Sequence, residues 1–170
     1  MESSLRRARE AVVLEHIDSE NRHDFEATVR TFSRPRYEVT PTAEVHEGAD
    51  AVLAFLLESH EGFPNFVLTI EKTHVADDAI IVETRFVGTH TGTWKGLPPT
   101  GREVDYMMCN VFEFDGPDLV CERLSFDSLT ILQQLGVARD PTTWAGSLEM
   151  VLLHPLVVAR ALFRSVLQRR

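Results

Sequence analysis

Residues 103–127, EVDYMMCNVFEFDGPDLVCERLSFD, carry the strongest indication of the fold class. Both halves alternate apolar and polar side chains with the two-residue period of a β-strand, and the Asp-Gly-Pro-Asp sequence of residues 115–118 favours a turn. The stretch therefore predicts a hairpin with strands Glu103–Phe114 and Leu119–Asp127.

The register of this hairpin determines which side chains face the interior. With residues 115–118 as the loop, Phe114 would pair with Leu119 and Tyr106 with Asp127, and successive side chains would alternate between the two faces. Phe112 and Phe114 mark the buried face near the loop, so polar side chains further along that face would point into a cavity. The predicted inward set is Tyr106, Met108, Asn110, Phe112, Arg123, Ser125 and Asp127.

The segments before the hairpin predict helices first and strands afterwards. Apolar residues recur at helical spacing in residues 4–21 and 49–60, and Asp24 can N-cap a short helix that follows it. Alternation returns in residues 66–75 and 79–94, where interior glycines indicate a bend or bulge. We therefore predict an α+β domain in which a curled antiparallel sheet and the N-terminal helices enclose a small-molecule cavity.

Composition and charge narrow the range of partners. The chain of 170 residues is 44% hydrophobic and 25% charged, which suits one globular core and does not indicate disorder. The whole chain has a net charge of −9. Residues 141–170 carry four arginines and one glutamate, a charge of +3, so residues 1–140 carry −12. A body that acidic repels phosphate backbones, and we expect no nucleic-acid partner.

The cysteines and the first residues lead to two further expectations. Cys109 and Cys121 have no metal-ligand spacing, and the predicted register places them on opposite faces, so we expect no disulfide between them. The first residues lack an apolar stretch, so we expect no secretory signal and a cytoplasmic location.

Residues 141–170 are predicted to form a helical C-terminal extension of a domain that spans residues 1–140. The extension is rich in leucine and valine, but Glu149, Pro155 and Arg160 interrupt it, so it does not predict a transmembrane helix. Two interpretations stay open. A kinked helix could pack on its own domain or on a second copy, or an amphipathic helix could contact an anionic membrane surface.

Two motifs connect this layout to a known family. Residues 88–101, GTHTGTWKGLPPTG, resemble the GTHxGxxxGxPPTG stretch of the SnoaL-like polyketide cyclases. Residues 126–136, FDSLTILQQLG, are similar to the D-x-x-x-L-L-x-Q-L-G run that closes their domain. The resemblance covers roughly residues 8–137. It implies the nuclear-transport-factor-2-like fold, a cone of curved sheet packed against N-terminal helices, and a homodimer.

The resemblance also implies a reaction. Enzymes of this family close a polyketide ring by intramolecular aldol condensation, on a hydrophobic ketone-bearing substrate and without a metal or cofactor. The aspartate that opens the second motif, here Asp127, is implied to take a proton α to a carbonyl and to return one to the new oxygen. A carboxylate beside an apolar cavity has a raised pKa, which suits this role. Alternatively, Asp127 only N-caps a helix predicted from Ser128, which Gly136 would end.

Two histidines and an asparagine are further candidates for the site. His90 would share a strand face with Phe86 and could exchange a proton with the substrate, or it fixes a bend of the strand through backbone hydrogen bonds. Asn110 could donate to an enolate oxygen, or it is a polar core residue paired with Arg123. His16 lies on the apolar stripe of the first helix, where it contacts substrate or is a hydrogen-bonded core residue.

The remaining candidates are large side chains that could line the pocket or simply fill the core: Tyr37, Phe86, Trp94, Tyr106 and Met108. At Arg123 the sequence departs from the family, which often has a tryptophan on this strand. Arg123 therefore joins the residues predicted to contact substrate.

Three classes of function follow from these observations. The first is a cofactor-free cyclase or isomerase, the second a non-catalytic binder of an apolar metabolite, and the third an association module that works through the C-terminal extension. Epoxide hydrolysis of the limonene epoxide hydrolase type is disfavoured. Those enzymes carry an arginine two positions before an aspartate on one strand, whereas Arg102 and Asp105 are three apart.

Overall fold

The computed structural model describes residues 2–140 and 142–167 and consists of two compact units that divide between Leu135 and Gly136. Helices precede the long strands, so the predicted α+β class is confirmed. The first unit contains α1 (Glu2–Asn21), α2 (Phe25–Arg30), β1 (Arg36–Val39), β2 (Glu44–Glu47), α3 (Ala49–Gly62), β3 (Val67–Val75), β4 (Ala79–Thr89), β5 (Glu103–Asp115), β6 (Asp118–Phe126) and α4 (Ser128–Gln134). The second contains α5 (Trp144–Leu153) and α6 (Pro155–Leu167).

The six strands form one curved open sheet in the order β2-β1-β6-β5-β4-β3. Neighbouring strands are antiparallel except β1 and β6, which run parallel with Tyr37 beside Glu122. The antiparallel prediction therefore misses one pair. This parallel pair brings Tyr37, which lies between the first helices and α3 in the sequence, next to Glu122 on β6.

A β-bulge changes the face on which β6 presents its side chains. Near the loop the predicted pairing is found, with Phe114 opposite Leu119, but the next pair is Glu113 with Cys121, which leaves Val120 as an extra residue. One extra residue reverses the alternation of every side chain beyond it. The predicted register is therefore wrong from Cys121 onward.

The bulge exchanges one buried side chain for another. Beyond it, Phe112 pairs with Glu122 and Asn110 pairs with Leu124. Glu122 is consequently buried, at 1% exposure, whereas Arg123 lies on the opposite face. The hairpin thus supplies a carboxylate to the interior where an arginine was predicted.

The loop after β4 depends on a glycine that cannot be replaced without a clash. β4 ends at Thr89, so Gly92 lies in the loop and not inside a strand as predicted. A Cβ at residue 92 would come within 1.8 Å of the carbonyl oxygen of Glu61. The amide of Gly92 instead donates to the carbonyl oxygen of Gly62 at 3.2 Å, which seats the loop on the end of α3 and brings Trp94 over Gly62.

The buried face of α1 carries two ionisable side chains. Val13, His16, Ile17 and Glu20 recur at intervals of three and four residues and therefore share one face of the helix. All four are buried, and the ring of His16 packs edge-on against Phe112 with 5.3 Å between centroids. α1 thus places an imidazole and a carboxyl group against the sheet.

The second unit contains two helices, and the second of them begins at a proline. α5 ends at Leu153 and α6 begins at Pro155, which lacks the N–H that a continuous helix would need. The predicted helical C-terminal extension is confirmed in the described residues. Several of its apolar side chains are exposed, among them Leu152 at 69% and Phe163 at 68%. No helix within residues 2–140 and 142–167 combines the length and apolarity needed to cross a membrane.

Candidate active site

A cavity of about 260 Å³ lies in the first unit, between the sheet and the helices α1, α3 and α4. Most of its wall is apolar and comes from inward-facing strand residues and from the helices that cover them. An enclosed wall of this kind favours a ligand with a large apolar surface. The apolar and aromatic members are Tyr37, Val39, Phe55, Leu56, Phe63, Phe66, Leu68, Phe86, Trp94, Tyr106, Met108, Leu124, Phe126, Ile131 and Leu132.

The charged groups of the wall lie in two places. Glu20 is only 6% exposed and forms a buried polar end together with Tyr37 and Asn110, which are each 1% exposed. Lys95 and Glu44 are partly exposed and mark the opening to solvent, with Lys95 Nζ 2.9 Å from Glu44 Oε2. The charged groups of the wall therefore differ in their access to solvent, with Glu20 buried and Lys95 and Glu44 partly exposed.

Tyr37 and His16 connect this buried end to the interior. The hydroxyl of Tyr37 donates to Glu20 Oε1 at 3.0 Å, and its oxygen lies 2.8 Å from His16 Nε2. On the other side of the ring, His16 Nδ1 lies 2.7 Å from Thr31 Oγ1, whose own hydrogen goes to the carbonyl oxygen of Thr28. Thr31 must therefore accept from Nδ1–H, and Nε2 is the nitrogen that faces Tyr37.

Glu122 completes the network on the far side of the imidazole. Its Oε2 lies 3.0 Å from His16 Nε2, and its Oε1 accepts a hydrogen bond from Asn110 Nδ2 at 2.8 Å. Thr84 Oγ1 donates to Asn110 Oδ1 at 3.0 Å. Because an ionised carboxylate can only accept, these two bonds fix the orientation of the Asn110 amide, with its nitrogen towards Glu122.

Burial and neighbouring charges shift the pKa values of the network. Burial alone would lower the pKa of His16, but the carboxylates of Glu122 and Glu20 outweigh it and raise this pKa to about 9. Burial raises the pKa of Glu20, an effect that the hydrogen bond and charge of His16 only partly offset. Burial also raises the pKa of Tyr37 well above 10. At neutral pH the network is thus an imidazolium between two carboxyl groups, of which Glu20 faces the cavity.

Within the described residues, His16, Glu20 and Glu122 form the group whose donor atoms lie close enough together to hold a metal ion. The donor atoms of His16, Glu20 and Glu122 all lie within 4.8 Å of one another. A metal ion would have to replace the proton on His16 Nε2 and displace the hydroxyl of Tyr37, which lies 2.8 Å from that nitrogen. The hydrogen bonds and opposite charges of the network therefore compete with metal binding.

Most of the residues predicted for the site lie on the cavity wall, and His16 lies directly behind it. Phe86 and Tyr106 stack with 4.9 Å between ring centroids. His16 is fully buried and is linked to the wall through its contact with Tyr37. The predicted residues found on the wall are Tyr37, Phe86, Trp94, Tyr106, Met108 and Asn110.

Asp127 follows β6 as an exposed N-cap. Its neighbours Phe126 and Ser128 line the cavity, but Asp127 Oδ1 accepts from the N–H of Leu129 at 2.9 Å and Oδ2 from the hydroxyl of Thr130 at 2.7 Å. The bonds from Thr130 and Leu129 lower the pKa of Asp127. The expected elevation of this pKa is therefore wrong, because the bulge turns the strand and the carboxylate caps α4 in solvent.

His90 also lies outside the cavity wall. It is fully buried, and its ring Nδ1 accepts from the backbone N–H of Thr100 at 3.2 Å. The backbone N–H of His90 donates to the carbonyl oxygen of Arg102 at 2.8 Å. These bonds close the loop between β4 and β5, which matches the alternative of a histidine that fixes the backbone.

Arg123 does not contact Asn110 as the predicted register required. It pairs with Glu38 at 2.9 Å and with Glu113 at 2.8 Å on the outer face of the sheet. The partner of Asn110 on β6 is Glu122, for the reason that the bulge supplies.

Two residues at the buried end, Glu20 and Glu122, were not predicted. Glu20 could have been found, because it follows His16 by one helical turn on the apolar stripe of α1. Glu122 could have been found from Leu124 and Phe126, because their alternation with Arg123 and Ser125 places residue 122 on the apolar face, whereas a register counted from the loop misses the bulge at Val120. Both were hidden by the general expectation that glutamate faces solvent.

Comparisons with known proteins agree with this architecture. A sequence model of the SnoaL-like polyketide cyclase family matches residues 10–135. No curated protein sequence matches the chain.

Several solved structures share the fold. A protein from Jannaschia sp. CCS1, described as a candidate SnoaL-like polyketide cyclase, has a TM-score of 0.71 and 23% identity over 78% of this chain and 94% of that one. IdmH from Streptomyces antibioticus, described as a candidate polyketide cyclase, has a TM-score of 0.63 and 22% identity, with coverage of 76% and 99%. A hypothetical protein of ketosteroid isomerase-like fold from Catenulispora acidiphila has a TM-score of 0.63 and 16% identity, with coverage of 74% and 92%. The nuclear-transport-factor-2-like fold is thereby confirmed.

Proposed function

The chain belongs to the SnoaL-like polyketide cyclase family, and on that premise we propose that it is a cofactor-independent acid–base enzyme for a hydrophobic ketone. The reaction is an aldol-type cyclisation or an isomerisation, both of which begin with removal of a proton α to a carbonyl. The substrate is a neutral, polyketide-like or polycyclic small molecule.

The observation that carries this proposal is the position of a buried carboxyl group on the wall of a mostly apolar cavity. Glu20 is 6% exposed and lies on the cavity wall beside Tyr37 and Asn110. A low-dielectric site strengthens the interaction between fixed dipoles and the negative charge that develops on an enolate oxygen. An apolar wall also binds the carbon skeleton of a ketone without competing for its oxygen.

The volume of the cavity limits what can be enclosed. Its volume of about 260 Å³ lies below the roughly 300–1,000 Å³ of pockets that enclose drug-sized ligands. One or two rings of the substrate therefore fit inside, and the remainder of a larger molecule would extend through the opening beside Lys95 and Glu44.

The direct test is exchange of α-protons in 1-tetralone, a neutral bicyclic ketone, followed by NMR in D₂O. The enzyme is expected to accelerate exchange above the rate in buffer. Binding is measured separately by quenching of Trp94 fluorescence in a Trp144→Phe background, because Trp94 lines the cavity and Trp144 is 82% exposed. Bound ketone that exchanges no faster than free ketone would contradict an enzymatic role.

A second candidate is a carrier of the same fold that binds without catalysis. It is favoured by the position of Asp127, since the carboxylate implied by the family resemblance is exposed and caps α4. The carrier predicts tetralone binding at every pH at which the protein is folded, with no exchange at any of them.

A further inference from the structure

We propose that Glu20 is the residue that transfers the proton in this cavity and that Asn110 binds the oxygen of the substrate. This assignment rests on the proposed function and names its residues. It departs from the family resemblance, which implies Asp127.

Glu20 has one oxygen committed and one available. Its Oε1 accepts the hydrogen bond from Tyr37, and within the described residues Oε2 forms no hydrogen bond. The side chain lies on the cavity wall at 6% exposure, so the available oxygen serves the cavity and not bulk solvent. α1 holds the carboxyl group on a rigid element, as proton transfer to a bound substrate requires.

Asn110 is oriented to donate into the same cavity. Its Nδ2 carries two hydrogens, of which one is donated to Glu122 Oε1, and the second forms no hydrogen bond within residues 2–140 and 142–167. A flip of the amide would turn its oxygen towards the carboxylate of Glu122, which can only accept, so the nitrogen stays on that side. A buried N–H donor on the same cavity wall as the carboxyl group can stabilise the oxygen of an enolate.

His16 and Glu122 are positioning residues, because neither lies on the cavity wall. Since Nδ1–H is donated to Thr31, Nε2 with its proton faces the oxygen of Tyr37 at 2.8 Å and Glu122 Oε2 at 3.0 Å. An imidazolium there donates towards Tyr37 and leaves the hydroxyl hydrogen of Tyr37 for Glu20. The network thereby holds the Glu20 carboxyl group in one orientation.

The chemical step balances within the substrate and Glu20. The carboxylate takes the proton of a C–H bond α to the ketone, and the bonding electrons move to the oxygen, which accepts the hydrogen bond from Asn110. In a cyclisation the enolate carbon then forms a C–C bond to a second carbonyl carbon, whose oxygen takes the proton from Glu20. In an isomerisation the proton returns to a different carbon, and neither route needs an oxidant or reductant.

Asp127 offers no comparable geometry. Both of its oxygens are engaged by α4, and its side chain is exposed. It is therefore the matched control: one carboxylate on the cavity wall against one at the surface nearby, each changed to its amide.

The experiment measures the 1-tetralone exchange rate and the Kd for Glu20→Gln and Asp127→Asn in the full chain. Glu20→Gln is expected to lower the exchange rate by about 10²–10⁴-fold, the usual range for a general acid–base residue, with a nearly unchanged Kd. Asp127→Asn is expected to retain the wild-type rate within about threefold, because asparagine also caps helices. The carbonyl stretch of bound 1-tetralone is expected at lower frequency than in solvent, a shift that Asn110→Ala should remove.

The positioning role has its own readout. Glu20 is faced by His16 on α1, Tyr37 on β1 and Glu122 on β6, and the nearest positive charge is that of His16. Removal of that charge in His16→Gln should move the pH profile of exchange to higher pH, because an ionised Glu20 loses its stabilising cation. An unchanged profile would overturn the role of His16.

The outcomes separate this assignment from the proposed function. If Glu20→Gln keeps the wild-type exchange rate and Asp127→Asn loses it, the assignment to Glu20 is overturned and the proposed function stands. Bound ketone that does not exchange in the wild type refutes both. If Glu20→Gln does not fold, Glu20→Asp keeps the charge but withdraws the carboxylate by one methylene, and an undiminished rate in that variant overturns the assignment. Loss of exchange after EDTA dialysis and its recovery with Zn²⁺ would also overturn it, in favour of a metal at His16, Glu20 and Glu122.

Discussion

The buried ion pair of His16 and Glu122 should make the stability of the protein fall as the pH rises above neutrality. His16 is completely buried, and the charges of Glu122 and Glu20 raise its pKa from the ordinary 6.5 to about 9 in the folded protein. In the unfolded chain the imidazole loses its proton near 6.5, whereas the folded protein holds that proton up to about 9. The stabilisation is therefore complete below pH 6.5 and is lost progressively up to pH 9.

The magnitude follows from the difference between these two pKa values. At about 1.36 kcal/mol per pH unit, the interval corresponds to a loss of about 3 kcal/mol in the free energy of unfolding. Glu20 acts with the same sign but from lower pH, because its raised pKa also makes the folded state hold a proton that the unfolded state releases above 4.5. The pKa values of His60 and His90 are lowered by burial, so their effects fall below pH 6.5 and outside this window.

Urea unfolding at intervals between pH 6 and pH 9 measures the effect, with the m-value checked for constancy. His16→Gln should be less stable than the wild type at pH 6.5, and the difference should shrink by about 3 kcal/mol by pH 9. His74→Gln is the control, because His74 pairs with Glu83 on the surface with 44% of its side chain exposed, and it should keep the wild-type slope. A wild-type free energy that is level or rises between pH 6.5 and pH 9 would refute the assignment of a buried imidazolium.

Two further predictions concern local structure. Asp127→Ala should lower the Tm by about 2–4 °C through loss of the α4 cap, whereas Asp127→Asn should leave it nearly unchanged; equal losses in a thermal melt would show that the cap geometry is not what matters. Gly92→Ala should destabilise the protein by about 1–3 kcal/mol, because the new Cβ would meet the carbonyl oxygen of Glu61. Thr93→Ala, on the exposed side of the same loop, should stay within about 0.5 kcal/mol of the wild type in urea unfolding, and a similar loss in both variants would contradict the close approach.

The motif of residues 88–101 acts through the backbone. Gly92 approaches the end of α3, and His90 closes the loop through bonds to Thr100 and Arg102. The same loop carries Trp94 and Lys95 to the cavity wall and its opening. Gly92 and His90 of this motif therefore hold the loop in position. The buried carboxyl group of Glu20 comes from α1, outside both motifs.

Local sequence patterns were enough to predict the fold class and most of the predicted residues that line the cavity. Alternation and helical spacing are local properties of the chain, so the order of helices and strands and the Asp24 and Asp127 caps could be predicted from neighbouring residues. Tyr106, Met108 and Asn110 lie on β5, where the alternation is uninterrupted, and they were placed correctly on the inner face.

Which carboxyl group faces the cavity depends on contacts between elements that are far apart in the chain. The extra residue Val120 reverses the faces of β6 relative to the register counted from the loop, which buries Glu122 and leaves Asp127 at the surface. The alternation of Leu124 and Phe126 with Arg123 and Ser125 is the local trace of this reversal. The burial of Glu20 is tolerated because Tyr37, on β1, donates a hydrogen bond to its carboxyl group and the imidazole of His16, one helical turn earlier on α1, lies 3.7 Å from it. A buried charge is specified by its partners, and partners that are far apart in sequence meet only when the chain is folded.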